Sequence, residues 1–135
     1  MAKIERFEDI DAWKKARELT KIIYEVTSQG KLATDFSLRD QLRRAAVSIM
    51  ANIAEGFERE GNKEFRQFLA TAKGSAGEVK ALLYVAMDAG LTSMEQFQRI
   101  RTLADETSRL LAGFLRYLKT SDKKGSKFNK SLNIC

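Results

Sequence analysis

Glu55 and Glu78 are the carboxylates best placed for chemistry in this chain. At helical spacing Glu55 shares a polar strip with Gln41, Arg44, Ser48 and Asn52, and a carboxylate beside an arginine at a helix seam can serve as a general acid or base. The same residues more commonly form a hydrogen-bonded structural pair, and that is the reading preferred here. The chain has 135 residues and no histidine. This removes the commonest general base, the commonest zinc ligand, and any Ser-His-Asp or Cys-His arrangement. Di-metal helical bundles use Glu-x-x-His pairs, so no metal site is expected. Gly74-Ser75-Ala76-Gly77 lacks both the preceding strand and the glycine–lysine–serine spacing of a phosphate loop. No catalytic residue, cofactor or metal is therefore expected, and the chain reads as a protein that is not an enzyme.

The cations point instead to recognition. Lys14, Arg17 and Lys21 share one face of a first helix, Arg39 and Arg43 share a face of a second, and Arg59, Lys63 and Arg66 surround the turn after it. Lys123, Lys124, Lys127 and Lys130 follow in a C-terminal stretch. Clustered cations can neutralise phosphates, and affinity grows with the number neutralised. Glu18, Glu25, Asp40, Glu58, Glu60 and Glu64 are interleaved with them, as on an ordinary solvated surface. The net charge is +6, of which the segment from Lys119 onward carries +4 and residues 1–118 only +2. Phe128 is the only aromatic in that segment, so its lysines suggest a non-specific anchor rather than base stacking.

The elements that must position these residues read as four helices. Apolar residues recur at helical spacing over about 9–28 (Ala12, Ala16, Leu19, Ile23, Val26), 37–58 (Leu38, Leu42, Ala46, Ile49, Ile53, Phe57), 62–89 and 93–119. The third stripe is Phe65, Phe68, Leu69, Ala72, Ala76, Val79, Leu83 and Ala86. The fourth is Phe97, Ile100, Leu103, Thr107, Leu110, Leu111, Phe114 and Leu118. There is no proline to interrupt them. Ser37 with Asp40 is a weak capping box, Asn62 is a candidate N-cap, and Ser93 with Gln96 is a clean capping box. Gln29-Gly30 and Gly90 supply stops, 31–36 reads as a loop, and 120–135 as a lysine-rich disordered tail. Four such helices with short connections bury their stripes as an all-α, antiparallel up-and-down four-helix bundle in one domain. The N-terminal segment mixes charges without an apolar run, no stretch reaches transmembrane length, and the single cysteine is Cys135. These features predict a cytoplasmic protein without a signal peptide and without membrane contact.

Two outer faces exceed what one subunit needs. The second helix carries Val47, Met50, Ala51 and Ala54 away from its main stripe, separated from it by Arg44, Ser48, Asn52 and Glu55. The third carries Ala70, Gly74, Gly77 and Ala81 opposite its core stripe, and each interior glycine costs roughly 1 kcal/mol relative to alanine. Both faces suggest contacts between subunits of a homo-oligomer.

The run Gln41 to Ile49, continued by Ala51-Asn52-Ile53-Ala54-Glu55-Gly56-Phe57, resembles the signature of the family encoded within intervening sequences of bacterial 23S ribosomal RNA genes, also called the S23 ribosomal protein family. Phe7 to Trp13 with Ala16, Glu64-Phe65 to Leu69, and Ala72 to Ala76 with Glu78 and Leu82 agree with it. The resemblance covers about residues 7–119; Met50 stands where the family often has proline. It implies a four-helix bundle assembled as a ring, commonly of five subunits. Through relatives that resemble accessory proteins of diversity-generating retroelements, it also implies binding of RNA or DNA and a reverse transcriptase partner through a basic surface. The sequence is thus read as a non-catalytic oligomeric nucleic-acid binder. A protein–protein scaffold without nucleic acid is the alternative.

Overall fold

The computed structural model describes residues 4–123, with side chains as far as Ser121. Among them the chain is all-helical: α1 (Asp11–Thr27), a short α2 (Gly30–Thr34), α3 (Phe36–Glu58), α4 (Asn62–Asp88) and α5 (Met94–Lys123), preceded by a 3-10 turn at Phe7–Asp9. α3 packs against α1 and α4, and α5 packs against α1 and α4, so each long helix has two long neighbours in a helical bundle. No described helix is long and apolar enough to cross a membrane.

The apolar stripes account for the packing. On α1 Ala12, Ala16, Leu19, Ile23 and Val26 are buried, and on α3 Leu38, Leu42, Ala46, Ile49, Ile53 and Phe57. On α4 the stripe is buried apart from Phe68, which is half-buried, and on α5 Ile100, Thr107, Leu111, Phe114 and Leu118 are buried. Full burial of each large aliphatic or aromatic side chain contributes roughly 1.5–3 kcal/mol. Leu110, counted in the fourth stripe, is exposed instead: one residue before Leu111 it points 100° away from the core.

Several local expectations are corrected. The 31–36 loop is mostly helix, because Gly30 takes φ 61° and starts a fresh turn that buries Leu32. The cap of α3 is Asp35, whose carboxylate accepts from the Leu38 N–H at 3.1 Å, rather than Ser37. Gly61, at φ 90°, is the N-cap of α4, and Asn62 is buried as its first residue. Asn62 Nδ2 donates to the Leu118 carbonyl at 2.9 Å and its Oδ1 accepts from Arg66 at 2.7 Å, tying the start of α4 to the end of α5. The Ser93–Gln96 capping box forms with both hydrogen bonds at 3.1 Å. α5 runs to Lys123, four residues past the expected end of the pattern at Lys119. The rest of the expected tail, 124–135, lies outside the described residues.

Gly56 lies where α3 and α4 approach each other closely. A Cβ there would lie 2.6 Å from Phe68 Cβ and 2.9 Å from Phe65 Cδ1, so α3 and α4 meet at a separation that only glycine permits. The seam continues with Ser48 Oγ 2.9 Å from Ser75 Oγ, and with Asn52 Nδ2 donating to Ser48 O and Oγ at 2.8 and 3.0 Å.

Candidate functional site

The cations divide into two sets by their partners. Arg39 pairs with Asp40 at 2.9 Å, Arg59 with Glu55 and Glu64 at 3.2 and 3.4 Å, and Lys14 with Asp11 at 3.9 Å. Arg66 donates to Asn62. Glu55 is therefore matched to Arg59 one turn on, not to Arg44, and both side chains are about half exposed. This is a surface ion pair. Among the described residues Arg17, Lys21, Arg43, Arg44 and Lys63 have no carboxylate within ion-pair distance. Lys124, Lys127 and Lys130 lie outside the described residues, as does the side chain of Lys123.

Three of the unmatched cations, Arg17, Lys21 and Arg43, lie along the edge where α1 meets α3, and Arg44 is exposed on the outer side of α3 toward Glu78 of α4. Arg17 and Lys21 are exposed on α1, and the Arg17 guanidinium sits 5.8 Å from the Trp13 ring. Thr20 Oγ1 donates to the Ala46 carbonyl at 3.3 Å, fixing this edge in register. Beyond it Arg43 reaches back across the seam. Its Nε donates to Thr27 Oγ1 at 2.9 Å, its Nη2 to Ser28 Oγ at 3.1 Å, and its guanidinium stacks 4.5 Å from the centroid of Tyr24. The two hydroxyls in turn donate to the carbonyls of Ile23 and Tyr24, both at 2.6 Å. Arg43 is thus docked on the C-terminal end of α1, whose dipole offers roughly half a charge of compensation.

Beside Arg43 lies an open groove of about 900 Å³. Tyr24 of α1, Asp40, Arg43, Arg44 and Ser48 of α3, and Glu78 of α4 line it. Arg44 and Glu78 face this space without a partner in ion-pair range, whereas Asp40 is held by Arg39. Sequence reasoning missed Tyr24; the usable signal is its place three residues after Lys21 and off the α1 core stripe.

A second tyrosine–arginine stack lies on the far side of the bundle. Arg101 sits 5.5 Å from the Tyr84 ring and its Nη1 donates to Tyr84 Oη at 2.6 Å, while Tyr84 meets Phe97 edge-on at 5.2 Å. Here a carboxylate closes the network: Asp105 accepts from Lys80 and from Arg101, both at 3.2 Å. Burial alone would raise the Asp105 carboxyl, but the Lys80 hydrogen bond and the Arg101 charge prevail and hold it below its ordinary value. The bond to Tyr84 raises Arg101 further.

The residues read as outer faces are placed as follows. Arg44, Val47, Ala51 and Glu55 are exposed on α3, and Ala70, Gly74, Gly77 and Ala81 on α4. A Cβ at Gly74 or Gly77 would meet nothing within 4 Å, so the packing described here gives neither glycine a reason. Met50 does not belong to the open face: it is half-buried and packs on the core. Ser48, Asn52 and Ala54 are also half-buried, the first two in the α3–α4 seam. Among the described residues no cluster of potential metal ligands occurs.

The family model of the 23S rRNA-intervening sequence protein matches residues 8–113. A solved structure from Bacteroides thetaiotaomicron VPI-5482, a protein of unknown function from the S23 ribosomal protein family, superposes with a TM-score of 0.71 at 23% identity. The match covers 78% of this chain and 98% of that one, a likeness of fold. No curated protein matches the chain.

Proposed function

The chain belongs to the 23S rRNA-intervening sequence protein family, and from that premise we propose that it is a non-catalytic, self-associating helical module that binds nucleic acid along the α1–α3 edge. The observation that carries this reading is the grouping of Arg17, Lys21 and Arg43 beside Trp13 and Tyr24 at this edge with no carboxylate in ion-pair range, Arg44 following on the outer side of α3; Lys73, Arg99, Arg109 and Arg116 are likewise unmatched on α4 and α5. Unmatched cations on one edge form an electrostatic footprint for phosphates, and the mildly basic balance of residues 1–118 suits modest affinity per subunit.

In this reading the four long helices run as an antiparallel up-and-down bundle, and copies associate in a ring through the outer faces of α3 and α4. The open positions of Gly74 and Gly77 support it, because glycines inside a helix are best explained by a backbone that comes close. Repetition around a ring multiplies weak contacts into avidity. The test pairs two measurements on the full chain. Sedimentation at micromolar concentration should show an oligomer, and labelled RNA or DNA should bind with an affinity that falls steeply as salt rises. A monomer that ignores nucleic acid at about 100 mM salt contradicts both halves of the proposal. An oligomer that ignores it favours a protein scaffold, a reading with its own support in the carboxylate-matched cations elsewhere on the surface.

A further inference from the structure

The geometry points to the groove beside Tyr24 and Arg43 as a subsite for one nucleotide of a single strand, with the phosphate on Arg43 and the base against Tyr24. The inference rests on the nucleic-acid reading above and names the place and the strand form.

Arg43 carries the first half of the argument. Its hydrogen bonds to Thr27 and Ser28 use two N–H groups, and a guanidinium has five. The remaining three include the Nη1 pair and one on Nη2, the end-on fork that matches two oxygens of a phosphate. The fork is held in place by neutral hydroxyls and an aromatic face, so its orientation is fixed before a ligand arrives. No carboxylate competes for it. Lys21, exposed one turn before Tyr24 on α1, adds a second charge on the approach.

The groove supplies the second half. Tyr24 is 42% exposed and one of its faces is taken by Arg43, which leaves ring surface open for stacking. Bases of a duplex are already stacked on one another, whereas a single strand can lay a base on an aromatic ring. The lining is also mixed in character. Glu78 has no partner in ion-pair range and Ser48 is a hydroxyl, beside the free cation Arg44. A site for a bare polyanion has no use for a free carboxylate. A nucleotide has an anionic end and a base edge bearing N–H donors, and it can use both. The volume of about 900 Å³ is ample for one such unit.

The experiment uses the full chain and a fluorescently labelled single-stranded RNA of mixed sequence, with the duplex of the same sequence as competitor. Anisotropy across a salt series is expected to show preference for the single strand. Arg43→Ala should weaken binding about tenfold and lower the salt slope by about 1. Tyr24→Leu, a change at an exposed position, should weaken single-strand binding about tenfold with the salt slope unchanged. Arg116→Ala, an exposed cation on α5, should change affinity less than about twofold. In the unmodified protein, NMR signals of the Arg43 Nε–H and the Tyr24 ring should shift as RNA is added, which needs no variant to fold. RNA binding that leaves those signals and both variants unaffected overturns the subsite and keeps the general reading. Binding of duplex as tight as single strand, or an equal loss of both in Tyr24→Leu, overturns the stacking half. Absence of RNA binding by the unmodified chain overturns subsite and reading together.

Discussion

The α1–α3 and α4–α5 seams use the same device, an arginine laid on a tyrosine, to opposite ends. At α4–α5 the Arg101 guanidinium is closed off by Asp105, which also takes Lys80, so one of the two positive charges is balanced within the molecule. At α1–α3 the Arg43 guanidinium is anchored by Thr27 and Ser28 hydroxyls and has no carboxylate in ion-pair range. An aromatic platform makes an arginine rigid; whether a carboxylate stands beside it decides if that rigidity serves the fold or a ligand.

The sharpest way to break this contrast is to make the open seam resemble the closed one. Ser28→Asp sets a carboxylate next to Arg43 Nη2, and RNA affinity should fall about tenfold in anisotropy while the far-ultraviolet spectrum is unchanged. The reverse change comes next. Asp105→Asn leaves Lys80 and Arg101 facing each other, and urea denaturation should show a loss of about 1 kcal/mol, modest because the group is about a third exposed. RNA affinity should stay within about twofold of the unmodified chain, since this seam lies on the far side of the bundle from the proposed subsite.

Acid should then separate the two seams by sign. The Asp105 carboxyl is lower in the folded chain than in the unfolded one. Its stabilisation is therefore complete above the ordinary carboxylate value and is lost as pH falls through the lower folded value. The stability gap between the unmodified chain and Asp105→Asn should be full at neutral pH and shrink as pH drops below roughly 4. A gap that persists at pH 2 would mean the network acts through packing rather than charge. The smallest effect belongs to Tyr84→Phe, which removes one hydrogen bond to Arg101 and should lower the melting temperature by about 2 °C.

Features set by neighbours in sequence were legible before the structure. The periodicity that buries Leu19, Ile49, Leu69 and Leu111 is a local pattern, and so is the Ser93–Gln96 box. What escaped depends on distant groups. Asn62 looks like a cap by type, yet its carboxamide is claimed by a carbonyl 56 residues away, and Gly61 takes the cap by adopting a positive φ. Met50 has the spacing of an outer residue but reaches the core's edge by its length and flexibility. The site shows the same division. Arg43 and Lys21 could be singled out as cations, but whether each meets a carboxylate is decided across helices, and nothing in the spacing joins Tyr24 to Arg43.

The missing side chain at position 56 works as a gauge. It sets the spacing of α3 and α4 by leaving an atom out, so the distance between their axes cannot be adjusted by swapping one residue for a slightly larger one. Any added bulk would have to push α4 aside as a body, and Gly74, Gly77 and Glu78 would travel with it. The outer face of α4 and the wall of the groove are thus calibrated by the interior: a variant that loosens the contact at Phe65 and Phe68 would mis-set both at once, without touching a residue of either.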